Sequence, residues 1–170
     1  ITSDTTWASD SFWVLRGAVF VEEPARLTID AGTEIFGEFA TNGALVIARG
    51  AQIHANGTAA APIVFSSDQP IGERRRADWG GLIINGAAPI NVPGGESVGE
   101  GDTGVYGGND PDDDSGHLRY VRVEFAGAEF SPDNELNGIA FQGVGRATEV
   151  EHIMVKFSKD DGIEFFGGTV

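Results

Sequence analysis

The sequence predicts an all-β fold, a right-handed parallel β-helix with a coil period of about 24 residues. Three observations carry that prediction. Helical periodicity is absent: no window places apolar residues at i, i+3, i+4 and i+7 over three turns. Short alternating runs recur at 19–21, 27–29, 45–47, 63–65, 82–84, 121–125, 153–157 and 163–166, each bounded by Gly, Pro, Asn or Asp. The chain also resembles itself at several offsets, as a stack of coils must.

The elements follow in order along a single domain, residues 1–170. Residues 1–16 are polar and aromatic, with Trp7, Phe12 and Trp13, and are expected to cap the first coil. Residues 27–35 (LTIDAGTEI) then align with 45–53 (LVIARGAQI) at an offset of 18, both reading strand, glycine corner, strand. Residues 66–81 and 93–116 are expected to be loop excursions from the solenoid wall. Beyond them, 118–125 (LRYVRVEF) align with 150–157 (VEHIMVKF) at an offset of 32. Stacked in parallel register, Val121 meets Ile153, Val123 meets Val155 and Phe125 meets Phe157, all expected to point inward. The same register sets Arg119 against Glu151 and Glu124 against Lys156, and opposite charges on adjacent strands stabilise by about 0.2–1 kcal/mol each. Residues 137–141 (NGIAF) align with 161–165 (DGIEF) at 24, and the longer connection before 139 accounts for the difference between 32 and 24. Glycine corners fit the high glycine content of 25 residues, because glycine takes positive φ without steric cost.

Charge and composition narrow the function. With 26 acidic against 11 basic residues the net charge is −15, which argues against nucleic acid and anionic membrane surfaces. No run approaches the length of a membrane span, so no membrane insertion is expected. The absence of cysteine excludes a disulfide scaffold and thiolate metal sites.

The segments LTIDAGTEIFG (27–37), GALVIARGAQIHANGTAAAPIVFSS (43–67), DWGGLIINGAAPIN (78–91), YGGNDPDDDSGHLRYVRVEFAG (106–127), SPDNELNG (131–138) and DDGIEFFGGT (160–169) together resemble secreted bacterial right-handed parallel β-helix repeat proteins. The resemblance spans nearly the whole chain and implies an exported or cell-surface protein of a group without an assigned activity. It also implies further coils after Gly167-Gly168-Thr169, which this sequence lacks.

Three sets of residues are candidates for chemistry. Asp110, Asp112 and Asp114 alternate as oxygen ligands for calcium do, the one cofactor expected, although the glycine and final glutamate of an EF-hand loop are out of place. Asp133, Glu135, Asp160 and Asp161 lie in connections after stacked strands and form an acidic edge suited to carbohydrate. Paired carboxylates run glycoside hydrolysis, and Asp160-Asp161-Gly162 is similar to the paired aspartate of β-helix polygalacturonases, without their His- and Arg/Lys-bearing partner motifs. Arg75, within Arg74-Arg75-Arg76, and Trp79 are expected to grip and stack on a sugar acid. His54, His117 and His152 show no local chelating spacing, so no zinc site is expected. Finally Ile163, Phe165 and Phe166 form the last strand-like run, an edge open to end-to-end association with a second copy. The leading expectation is a non-enzymatic extracellular solenoid with a structural, adhesive or self-assembling role. The alternative is a β-helix that binds or cleaves polysaccharide.

Overall fold

The computed structural model describes residues 1–131 and 134–170. Five coils of three short strands each wind into a right-handed parallel β-helix. The first coil holds β1 (Thr5–Trp7), β2 (Phe12–Leu15) and β3 (Ala18–Val21), and the second β4 (Arg26–Ile29), β5 (Glu34–Gly37) and β6 (Ala44–Ile47). The third holds β7 (Gln52–Asn56), β8 (Ile63–Ser67) and β9 (Gly81–Asn85). An excursion carrying the hairpin β10 (Glu96–Val98) and β11 (Val105–Gly107) leads to the fourth coil, which opens with β12 (Gly116–Arg119) and β13 (Val121–Glu124). A second hairpin, β14 (Glu129–Ser131) and β15 (Asn134–Glu135), precedes β16 (Ile139–Gln142). The fifth coil is β17 (Glu149–Glu151), β18 (Met154–Lys156) and β19 (Ile163–Phe166).

Among the described residues the coils stack into three five-stranded sheets: β1-β4-β7-β12-β17, β2-β5-β8-β13-β18 and β3-β6-β9-β16-β19. The register expected for the last two coils is the one observed. Leu118 pairs with Val150, Val123 with Val155 and Ile139 with Ile163. The predicted ion pairs form too, Arg119 to Glu151 at 3.4 Å and Lys156 to Glu124 at 3.1 Å. Inside, identical positions stack from coil to coil: Ile35 on Phe65 on Val123, and Ile47 on Ile84 on Phe141, all fully buried. A one-residue slip would turn each column outward, so burial holds the register.

The offset of 18 relates two corners, β4 to β5 and β6 to β7. Leu27 pairs with Ile53, while Gly32 and Gly50 occupy equivalent corners with φ +85°. Each corner is closed by the same bond, Thr33 N–H to the Asp30 carbonyl and Ala51 N–H to the Ala48 carbonyl. Residues 1–16 contain β1 and β2, in register with β4 and β5, so this segment is a working coil and not an irregular cap. Trp7 and Trp13 nevertheless close that end, stacked at 5.2 Å.

The run 118–125 is two strands. Tyr120, at φ 48°, turns the corner between β12 and β13, so Leu118 and Val121 both point inward although three residues apart. Phe125, at φ 63°, turns the next corner, so the Phe125–Phe157 stack (5.1 Å) lies outside the core, with Phe157 56% exposed. Left-handed backbone costs these residues about 1–2 kcal/mol. Ring stacking offsets part of it, Tyr120 on His152 at 4.4 Å and Phe125 on Phe157.

The excursions explain why the third sheet reads as unbroken apolar runs. Leu136 lies with Ala44, Val46, Ile83 and Ala140 in a second cluster on its outer face, and Tyr106 of β11 meets Phe166 at 6.2 Å. Strands buried on both faces lose the polar alternation that a half-exposed strand keeps.

Candidate functional site

The acidic loop 110–116 is organised around Asp113, which was not among the expected ligands. Its carboxylate is 8% exposed and accepts from the backbone N–H of Ala87 and Gly145 and from the Ser115 hydroxyl. The three expected ligands face different donors. Asp110 accepts from the Asp112 N–H and Asp114 from the Gly116 N–H. Asp112 pairs with Arg146, whose hydrogen bond holds that carboxyl below its usual range. Among the described residues no three His, Asp or Glu side chains are grouped to hold a metal ion.

At the acidic edge, Asp133 lies outside the described residues. Glu135, Asp160 and Asp161 gather with Glu100 and Glu164, which the sequence did not single out. Burial, then Glu164, Asp160 and Glu135, raises the Glu100 carboxyl above its ordinary value. Burial, then Asp161 and Asp160, raises Glu164, against a hydrogen bond donated by the Asn137 side chain at 2.5 Å. This is a crowd of like charges, and none of the main surface grooves is lined by it.

Trp79 is not on the surface. It is fully buried, stacked near Phe65 at 6.4 Å, with its indole N–H donating to the Glu124 carbonyl at 2.7 Å. It sits so close over Gly37 that a Cβ there would lie 2.4 Å from it. Arg75 donates to the carbonyls of its own loop, Gly72 and Arg74, and does not face Trp79. The stacking arginine is Arg74, 5.6 Å over the Phe36 ring.

Arg74 belongs to a groove of about 380 Å³ on the outer face of the second sheet. In-register strands place Phe12, Glu34, Val64, Arg122 and Met154 in one outward column, and Val14, Phe36, Ser66, Glu124 and Lys156 in the next. Glu124, 7% exposed, is the hub. Arg122 approaches it at 2.7 Å, Lys156 at 3.1 Å, and the Ser66 hydroxyl donates to it at 3.4 Å. Arg74 donates in turn to Ser66 at 3.0 Å and to the Gln69 carbonyl, and it makes no ion pair among the described residues. Phe12, 75% exposed, lines the same groove at 6.0 Å from Phe36.

The first sheet's outer face is polar. Thr28, His54, His117 and Glu149 follow one another across neighbouring strands. His117 Nδ1 lies 3.3 Å from a Glu149 oxygen, beside the Arg119–Glu151 pair, in a groove of about 320 Å³. Burial, then the charges of Arg26 and His117, holds His54 below the usual histidine value, against the pull of Asp114.

Of the expected assembly edge, Ile163 and Phe165 continue the inward columns of Ile139 and Phe141 and are exposed on the last coil, Phe165 by 58%. Phe166 points outward to Tyr106 instead.

Glu124 and Lys156 were visible in sequence only as matched charges of a stacked pair and Arg74 as one of three arginines, while Arg122, whose ladder partner is Met154, carried no such signal. The whole chain, residues 1–170, matches the family described as the pectate-lyase like beta helix domain, and it belongs to that family. No curated protein and no solved structure matches it. No helix among the described residues is long and apolar enough to cross a membrane.

Proposed function

We propose that this member of the pectate-lyase-like β-helix family is a secreted or cell-surface solenoid that binds an acidic polysaccharide in the groove of its second sheet. The observation that carries the reading is the grouping of Arg74, Arg122 and Lys156 beside Phe12 and Phe36 on a chain of net charge −15. An aromatic face takes the apolar side of a sugar ring. A guanidinium takes a carboxylate or sulfate through paired N–H bonds. Arg74 is the cation with that capacity in hand, because Glu124 already engages Arg122 and Lys156. At physiological salt the screening length is about 8 Å, so the local cations act on the ligand more strongly than the distant acidic loops.

Binding is the reading, and not hydrolysis, because the two carboxyls raised above their ordinary value, Glu100 and Glu164, stand outside the groove. The fold in this use is adhesive, with the solenoid wall as the contact surface.

Calorimetric titration with polygalacturonate and with a neutral glucan tests the proposal. The acidic polymer binds more tightly, and Arg74→Ala weakens it several-fold while leaving the melting temperature nearly unchanged. Equal affinity for both polymers, or an acidic-polymer affinity indifferent to Arg74→Ala, refutes it.

A further inference from the structure

We propose that His54 and His117, on the outer face of the first sheet, form a two-histidine site for a divalent transition-metal ion of the zinc, nickel or copper class. The two residues are 63 positions apart in sequence and direct partners across β7 and β12. Three geometric observations carry the inference, and none depends on the polysaccharide reading.

The first is ring orientation. Other ring pairs at matched positions on neighbouring coils lie nearly flat on each other: Tyr120 on His152 at 14°, Phe125 on Phe157 at 15° and Phe141 on Phe165 at 15°. His54 and His117 stand edge-on at 77°. Flat stacking is what parallel register offers by default, and this pair departs from it.

The second is separation. A zinc–nitrogen bond is about 2.0–2.1 Å and the imidazole centre lies roughly 1.1–1.2 Å beyond the ligating nitrogen, so two rings on one ion have centres about 4.5 Å apart at a right angle and about 5.2 Å at the tetrahedral angle. The observed centres are 4.7 Å apart, inside that window.

The third is the donor inventory. His54 Nε2 is buried and has no hydrogen-bond partner. His117 Nδ1 faces Glu149 at 3.3 Å, which leaves Nε2 as that ring's second donor atom. A carboxylate on the far nitrogen orients a ligating histidine and raises its basicity. Imidazole donors select zinc, copper and nickel, whereas calcium and magnesium want oxygen. Among the described residues no third His, Asp or Glu converges on the pair, so the remaining coordination positions fall to water or to a ligand atom entering from the groove that His117 lines.

Zinc chloride titrated into the 170-residue chain tests this by calorimetry, with nitrogen-detected NMR of the histidine rings as a readout that needs no variant. One equivalent of zinc should bind saturably and shift the Nε2 resonances of His54 and His117, but not those of His152. His54→Gln and His117→Gln should each abolish saturable binding, and Glu149→Gln should weaken it by about tenfold or more. His152→Gln should change nothing. Absence of saturable binding at millimolar zinc overturns the proposal, as does binding that survives both histidine substitutions. A His54 Nε2 that stays protonated under zinc reduces the pair to an edge-to-face ring contact and also overturns it.

Discussion

Replacing Trp79 separates a core residue from a ligand platform, because the two roles predict opposite outcomes. The indole is fully buried, packed near Phe65 and over Gly37, and donates to the Glu124 carbonyl. Truncating a large buried aromatic to alanine costs about 3–5 kcal/mol. At roughly 2–4 °C per kcal/mol for a domain of this size, Trp79→Ala should lower the melting temperature by about 6–20 °C. Trp79→Phe keeps a ring in the cavity and removes the N–H, leaving the Glu124 carbonyl short of its partner, at about 1–2 kcal/mol. Thermal and urea unfolding followed by circular dichroism reads both variants. Polysaccharide titration at a temperature where each is folded completes the test. The reasoning is refuted if Trp79→Ala melts within a few degrees of the parent while losing polysaccharide affinity, since only an exposed stacking residue behaves that way.

Three further outcomes are expected. Glu164 carries a carboxyl raised by burial and by Asp161 and Asp160, so its contribution is fully present below the unfolded value near 4.5 and is lost as pH rises through the folded value. Glu164→Gln, which keeps an acceptor for Asn137, should therefore raise the urea midpoint at neutral pH and leave it nearly unchanged well below 4.5; an equal change at both would contradict the assignment. Asp110, Asp112 and Asp114 each serve a different donor, so millimolar calcium should not move the melting temperature. A rise that their joint change to Asn abolishes would place an ion in the loop after all. The exposed Ile163 and Phe165 on the last coil predict concentration-dependent association of the 170-residue chain in light scattering, removed by Phe165→Glu; a monomeric parent at high micromolar concentration would refute it.

The candidate sites were legible unevenly. Arg119–Glu151 and Glu124–Lys156 could be read from two aligned octets, because the two strands of each octet are joined by a short corner with no insertion between them and so keep one offset. Arg74 could be read only as one of three arginines. What distinguishes it is that the excursion folds back to put its guanidinium over Phe36 and beside Ser66, while Arg75 turns to its own loop. Glu100 and Glu164 come together only because an excursion lies over the third sheet, and nothing in their local sequence marks that contact.

By itself the sequence determined the fold class, the register of the last two coils and the glycine corners. The physical reason is that a parallel stack buries the same positions coil after coil, so one alternating pattern must repeat and a slip would expose all of it. Only the tertiary structure decided which corners the offset of 18 joins, that Trp79 is core, that Phe125 and Phe157 stack outside, and that His54 meets His117. Each of those depends on a left-handed corner residue that resets the alternation or on an excursion that shifts the spacing. Tyr120 and Phe125 take that conformation without being glycine, and Leu27 meets Ile53 after 26 residues whereas His54 meets His117 after 63. A local pattern records which side chains want burial. Which strand lies alongside is set by the length and path of the chain between them.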